Sequence, residues 1–144
     1  MIDVENAVFN TIATNMRTDY LATYQKLTLT TEYTEYPEQF PWIALWQEDN
    51  YTNLNTREIG STDEHYVNAM FHTEIATIGN DRKSVAKKLA NSVDALYRGM
   101  GFTRIAMLVF PNSGSNMYRI TMRHSGLVER PIGDSNSLIS LVYR

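Results

Sequence analysis

The chain has no cysteine in its 144 residues. That excludes a disulfide framework, thiolate catalysis and Cys-ligated zinc or iron–sulfur sites, and it suits a protein made and kept in a reducing cytoplasm. A long hydrophobic run is also missing, since nothing approaches the roughly 20 apolar residues that span a bilayer. The opening Met1-Ile2-Asp3-Val4-Glu5 carries acids where a signal peptide carries bases, so neither export by that route nor membrane insertion is expected. Nucleophile elbows, phosphate-cradling glycine loops and dinucleotide fingerprints do not occur. Gly99-Met100-Gly101 follows a helical pattern, whereas those motifs precede one.

Metal chemistry is poorly supplied too. His65 and His72 are seven apart in a strand-like stretch, an odd offset that puts them on opposite faces, and His124 lies on another element. No ligand spacing emerges, and ordinary, partly exposed histidines are expected. Glu48-Asp49 and Asp63-Glu64 bracket a polar stretch and can approach across a hairpin to hold a divalent cation loosely. Acids at loop ends usually serve solvation, and no lysine lies nearby to assist a nuclease. The expectation is a non-enzymatic protein with no cofactor and no metal.

Strong net charge is absent as well, at -3, but the balance is uneven along the chain. Residues 1–80 hold 12 acids and 3 bases; residues 81–144 hold 4 acids and 10 bases. Either the two sets mix on a solvated surface, or an acidic face of one copy meets a basic face of the next, the head-to-tail contact from which closed rings are made. The total charge argues against a strong nucleic-acid footprint.

What is present is patterned for one α+β domain. Val8, Ile12, Met16 and Tyr20 recur at i+4, with Phe9 and Ala13 beside them, which predicts an amphipathic helix over about the first 20 residues, with Asp3 as a cap. From Lys26 the period becomes two, with Leu27, Leu29, Thr31 and Tyr33 on one face, until Pro37 and Pro41 interrupt it. Trp42-Ile43-Ala44-Leu45-Trp46 is apolar on both faces. That suits a strand covered on each side, or one whose outer face meets a partner. Gln47 to Glu64 is polar and without period, a loop long enough to serve as a contact arm or to be a disordered hairpin tip.

His65 to Ile78 alternates as a long strand, with Val67, Ala69, Phe71, Thr73 and Ile75 on one face. Asn80 or Asp81 can cap the helix after it. There Val85, Ala86, Leu89, Ala90, Val93, Leu96 and Tyr97 form the apolar face, while Asp94 and Arg98 make an i,i+4 pair off it. Arg82, Lys83, Lys87 and Lys88 sit in its first turns, wrongly placed for the helix dipole. They form either a solvated face or a site for a phosphate or an acidic partner. Gly99 and Gly101 allow a sharp exit. Ile105 to Phe110 reads as a buried strand ended by Pro111-Asn112-Ser113-Gly114, and its hairpin partner comes next, in which Tyr118, Ile120 and Met122 face in while Arg119, Thr121 and Arg123 face out. After His124 the pattern loosens through Gly126, Pro131 and Gly133 before Leu138, Ile139, Leu141, Val142 and Tyr143 close the chain as a short strand or tail.

The stretch from Leu96 to Arg123, with its Met100-Gly101-Phe102-Thr103-Arg104 turn, Pro111-Asn112 and Tyr118-Arg119, resembles the tail terminator (tail completion) proteins of long-tailed bacteriophages. The opening residues, the strand around Trp42-Ile43-Ala44-Leu45-Trp46 and the polar loop before His65 are also similar to that family, so the resemblance covers most of the chain. It implies a mixed, mainly antiparallel sheet with two helices packed on one face. It further implies a virion protein, assembled in the bacterial cytoplasm, that forms a ring of commonly six copies on the head-proximal end of the tail tube. Such a ring stops tube polymerisation and offers a surface to the head-tail connector, and phage DNA passes through it without sequence-specific binding. A head-closure (stopper) or other neck protein is the alternative. On this resemblance Asn50 to Glu64 is the contact arm, with Asn50, Tyr51, Asn53, Asn55, Arg57 and Glu58 expected against the tube. Trp42, Trp46, Arg82, Lys83, Lys87 and Lys88 are expected at subunit or partner contacts.

Overall fold

The computed structural model describes residues 4–52, 66–110, 117–129 and 140–142. In chain order these form α1 (Glu5–Tyr20), β1 (Thr28–Thr30), β2 (Trp42–Thr52), β3 (Tyr66–Ile78), α2 (Arg82–Gly99), β4 (Thr103–Phe110), β5 (Met117–Glu129) and β6 (Ser140–Val142). The result is an α+β fold with a mixed, mostly antiparallel sheet of strand order β1-β2-β3-β5-β4. β1 runs parallel to β2, the other pairings are antiparallel, and β6 pairs with β5 just beyond the stretch that holds β4.

Both helices lie on one face of the sheet. α1 buries the i+4 stripe read from the sequence, Val8, Ile12 and Met16, with Ala13 beside it. Its first turn is held by side chains far along the chain: Val4 N donates to Gln47 Oε1 at 3.1 Å, and Gln47 N donates to Glu5 Oε2 at 3.0 Å. Asp3, the expected cap, lies outside the described residues. α2 buries Val85, Ala86, Leu89, Ala90, Val93 and Tyr97 against Phe71, Ile75, Ile120 and Met122 of the sheet. Asp81 occupies its N-cap position without a side-chain cap hydrogen bond, so the position matches the expectation and the bond does not.

The exit from α2 places β4. Gly101 takes φ 92°, a left-handed conformation that side chains rarely adopt. Its N–H donates to Arg98 O at 3.0 Å, and Phe102 N–H donates to Tyr97 O at 2.9 Å, the two bonds of a Schellman turn. Phe102 is thereby pressed into the core edge-on to Phe71 and Tyr97, with ring centroids 5.4 and 5.8 Å away. A Cβ on Gly126 of β5 would meet the Phe102 ring at 2.6 Å, so that position requires glycine.

Three expectations change. The first strand is only Thr28–Thr30, because the chain leaves the sheet there, and residues 31–41 cross over its second face. β2 continues to Thr52, so Gln47 to Thr52 belongs to a strand and not to the expected loop, the rest of which lies outside the described residues. Glu48 is the extra residue of a β-bulge between Gln47 and Asp49. Finally, the apolar strand Ile105 to Phe110 is not buried. It is the edge of the sheet, and seven of its eight residues from Thr103 are exposed.

Candidate functional site

The face of the sheet opposite the helices divides into a covered half and an open half. Over the covered half, Tyr33 stands edge-on to Trp42 and Trp46, with ring centroids 6.4 and 6.0 Å apart, and Trp42, Ala44, Ala76 and Met117 form a second small core with Phe40 and Trp46. Arg119 fastens this cover. It is buried, donates from Nη1 to Glu74 and from Nη2 to Glu35 O at 3.0 Å, and lies 5.5–5.6 Å from the rings of Trp42 and Tyr33. A guanidinium makes such a clamp because it forks two hydrogen bonds while stacking on aromatic faces. The expectation that Arg119 faces out to solvent therefore fails: it does face away from the helices, but into this second core.

Glu74 continues the network toward the open half. His72 Nε2 lies 3.2 Å from Glu74 Oε1, and His72 Nδ1 lies 3.1 Å from Glu48 Oε1, the carboxylate that the bulge swings into place. Arg123 Nη2 reaches the same Glu48 oxygen at 3.4 Å, and Trp46 stacks on the His72 ring at 4.5 Å. Burial raises the pKa of Glu74, but hydrogen bonds from His72 and Arg119 outweigh it and hold the carboxyl below its ordinary range.

The open half is a groove of about 340 Å³ lined by His72, Glu74, Ala106, Leu108, Phe110, Thr121 and Arg123. Its far wall is β4. Ile105, Leu108 and Phe110 are 53%, 58% and 45% exposed, and Val109 is exposed as well. Among the described residues no strand pairs with the outer edge of β4. Ile105 is the extra residue of a bulge between Arg104 and Ala106, a feature common on sheet edges. An exposed apolar edge strand is a ready template for pairing with another chain, and contiguous exposed apolar surface marks association sites.

On the helix face, His124 is fully buried, contrary to the expectation of a partly exposed histidine. It stacks on Tyr97 at 4.1 Å, and its Nε2–H donates to Asp94 Oδ1 at 2.8 Å. Its Nδ1 is buried and has no hydrogen-bond partner among the described residues. Burial pushes the imidazole pKa down, more strongly than Asp94 pushes it up, which favours the neutral ring. Asp94 keeps its expected pair with Arg98 at 3.3 Å, yet it is buried rather than lying off the apolar face.

The residues singled out from the sequence scatter. Trp42 is 3% exposed under the 31–41 crossover and so is not a surface contact, and Trp46 is half-buried against Tyr33 and His72. Arg82 is half-buried and turns back onto Gly79 O, while Lys83, Lys87 and Lys88 are exposed on α2, with Lys88 over the Tyr24 ring at 5.5 Å. These lysines lie on the helix side of the sheet and the tryptophans on the other, so they do not form one site. Asn50 and Tyr51 belong to β2. Asn53, Asn55, Arg57 and Glu58 lie outside the described residues, as do Asp63 and Glu64. Sequence reasoning missed the β4 edge because a run apolar on both faces is shared by central strands and by partnered edges.

The charge imbalance along the chain does not become an imbalance between the two ends of the sheet. The β1 flank, residues 4–41, carries Glu5, Asp19, Glu32, Glu35 and Glu38 against Arg17 and Lys26, a net of -3. The α2–β4 flank, residues 81–110, carries Arg82, Lys83, Lys87, Lys88, Arg98 and Arg104 against Asp81 and Asp94, a net of +4. β1 and β4 stand at opposite ends of the strand order, but α2 packs over β3 and β5 as well as β4, Lys88 lies over Tyr24 and Arg104 pairs with Asp94, so these charges are not sorted to the two ends of the sheet. Among the described residues no group of three His, Asp or Glu side chains has an arrangement that could hold a metal ion, and no helix is long and apolar enough to cross a membrane. The chain matches no protein-family model and none of the curated proteins.

Proposed function

We propose that this chain is a structural ring subunit, a tail terminator of a long-tailed bacteriophage, which closes the head-proximal end of the tail tube and presents a surface for joining to the head. The observation that carries the reading is the exposed apolar β4 edge with no partner strand among the described residues. A surface of this kind does work only when another chain covers it. The resemblance in Met100-Gly101-Phe102-Thr103-Arg104 and Tyr118-Arg119 supports the choice of assembly, and those residues make the turn and the strand that hold β4. The role is one of binding, with no reaction assigned. Phage DNA threads the ring without being read.

Light scattering of the purified protein, alone and mixed with the tail-tube protein of the same virus, tests this reading. A closed oligomer, commonly of six copies, is expected in at least one condition, and a monomer in both overturns it. A phage lacking the gene is expected to make tails of uncontrolled length or tails that fail to join heads. Normal joined virions from that phage would remove the role outright.

A further inference from the structure

We infer that His124 is an acid-sensitive pin for the sheet edge: when its buried ring takes a second proton, β4 and the turn that leads into it come away from α2 while the rest of the sheet stays closed. The inference concerns the edge itself and stands whatever chain covers that edge.

His124 sits where four elements meet. It lies on β5, opposite Arg104 of β4 on one side and Phe71 of β3 on the other. Tyr97 of α2 stacks on its ring at 4.1 Å, and Phe102 stands edge-on to Phe71 and Tyr97. A carboxylate only accepts, so the 2.8 Å contact with Asp94 fixes the one proton of the neutral imidazole on Nε2 and leaves Nδ1 bare. A second proton goes to Nδ1, which is buried and has no hydrogen-bond partner among the described residues. The Tyr97 hydroxyl is engaged with Thr73 Oγ1, 3.0 Å away. A buried donor without an acceptor bears its full desolvation cost.

Charge adds to this. Asp94 Oδ1 faces His124, while Oδ2 faces Arg98 Nε at 3.3 Å and Arg104 Nη1 at 3.9 Å. An imidazolium therefore shares one carboxylate with two guanidinium groups. Burial is the largest influence against the charged ring; Asp94 favours it, and Arg104 and then Arg98 oppose it. Phe71 and Phe102, which complete the surroundings, carry no charge.

Of the elements around the ring, β4 gives way most readily. α2 is anchored in the core by Val85, Leu89, Val93 and Tyr97, and β5 has strands on both sides. β4 is paired on one side only among the described residues, and seven of its eight residues are exposed. Its contact with Asp94 is the longest of the three, and the bulge at Ile105 interrupts its ladder right beside His124. Local opening there gives the ring access to water. The closed form rejects the second proton and the opened form accepts it in the ordinary histidine range, so acidification below about 6.5 favours opening, by at most about tenfold per pH unit for one proton.

Hydrogen exchange of the full chain, read by mass spectrometry at about pH 7.5 and about pH 5.5 and corrected for the intrinsic effect of pH, tests the inference. Both values lie above 4.5, so Glu74 stays ionised throughout. Protection of residues 103–110 is expected to fall about tenfold at the lower pH, while that of residues 42–47 in β2 is unchanged. His124→Gln is expected to abolish the fall. Nitrogen NMR of the imidazole rings needs no variant: in the closed form His124 is expected to keep a single proton, on Nε2, at the lower pH. Unchanged protection of β4 overturns the inference, and so does an equal loss in β2, which is unfolding of the whole molecule. The same loss in His124→Gln, or a doubly protonated His124 ring beneath a β4 that remains protected, overturns it as well.

Discussion

β2 and β4 begin from the same kind of sequence and reach opposite environments. Trp42-Ile43-Ala44-Leu45-Trp46 and Ile105-Ala106-Met107-Leu108-Val109-Phe110 are each apolar on both faces. The first is covered by α1 on one side and by the 31–41 crossover on the other, while the second stands at the sheet edge with its apolar side chains in solvent. Composition alone does not separate them. The difference lies in whether another part of the chain arrives to cover the second face, and in β2 that arrival depends on one buried arginine.

The comparison breaks most severely at that arginine. Arg119→Met is expected to leave the Glu74 carboxylate buried without its partner and to release Glu35, at a cost of about 3–5 kcal/mol, read from urea unfolding followed by tryptophan emission. A red shift in the native emission is expected as well, since Trp42 loses its cover. Next in size is Leu45→Ala, which removes a fully buried side chain from β2 and is expected to cost about 2–5 kcal/mol by the same measurement. Gly126→Ala drives a methyl into the Phe102 ring that seats β4, and about 1–3 kcal/mol of destabilisation is expected.

A pH titration sharpens the contrast between the two faces of the sheet. His124 has a folded pKa below its ordinary 6.5, so the unfolded chain binds the proton first, and the stability gained by keeping the ring neutral is complete above 6.5 and lost progressively below it. Glu74 has a folded pKa below its ordinary 4.5; its contribution is complete above that value and lost as pH falls through the folded one. The urea midpoint is therefore expected to decline in two stages on acidification. His124→Gln is expected to remove the first stage and keep the second; an unchanged first stage would assign it to another group. The smallest effect is expected at the edge: Leu108→Ser should change stability by less than about 0.5 kcal/mol while reducing association, because the side chain is largely exposed within its own chain.

These particulars show what local pattern conveys. The i+4 stripe of α1, the alternation of β3 and the glycine exit of α2 are local, and all three are readable because periodicity and left-handed backbone leave marks in neighbouring residues. The Arg119–Glu74 pair spans 45 positions and the Asp94–His124 pair 30, and nothing near any of these residues announces the other. The end of β1 is obscured in the sequence because Thr31 and Tyr33 continue the alternation after the chain has left the sheet. Of the candidate site, the apolar run of β4 is legible and its place at the edge is not, since that depends on β5 being inserted between β3 and β4.

The Schellman turn after α2 has a consequence for assembly beyond the path of the chain. Because Phe102 is locked between Phe71, Tyr97 and the bare backbone of Gly126, β4 is held in register by a tightly interlocked aromatic cluster while its own side chains remain in solvent. A docking edge prepared in this way surrenders little conformational freedom when a neighbour arrives, so more of the contact energy is retained as affinity.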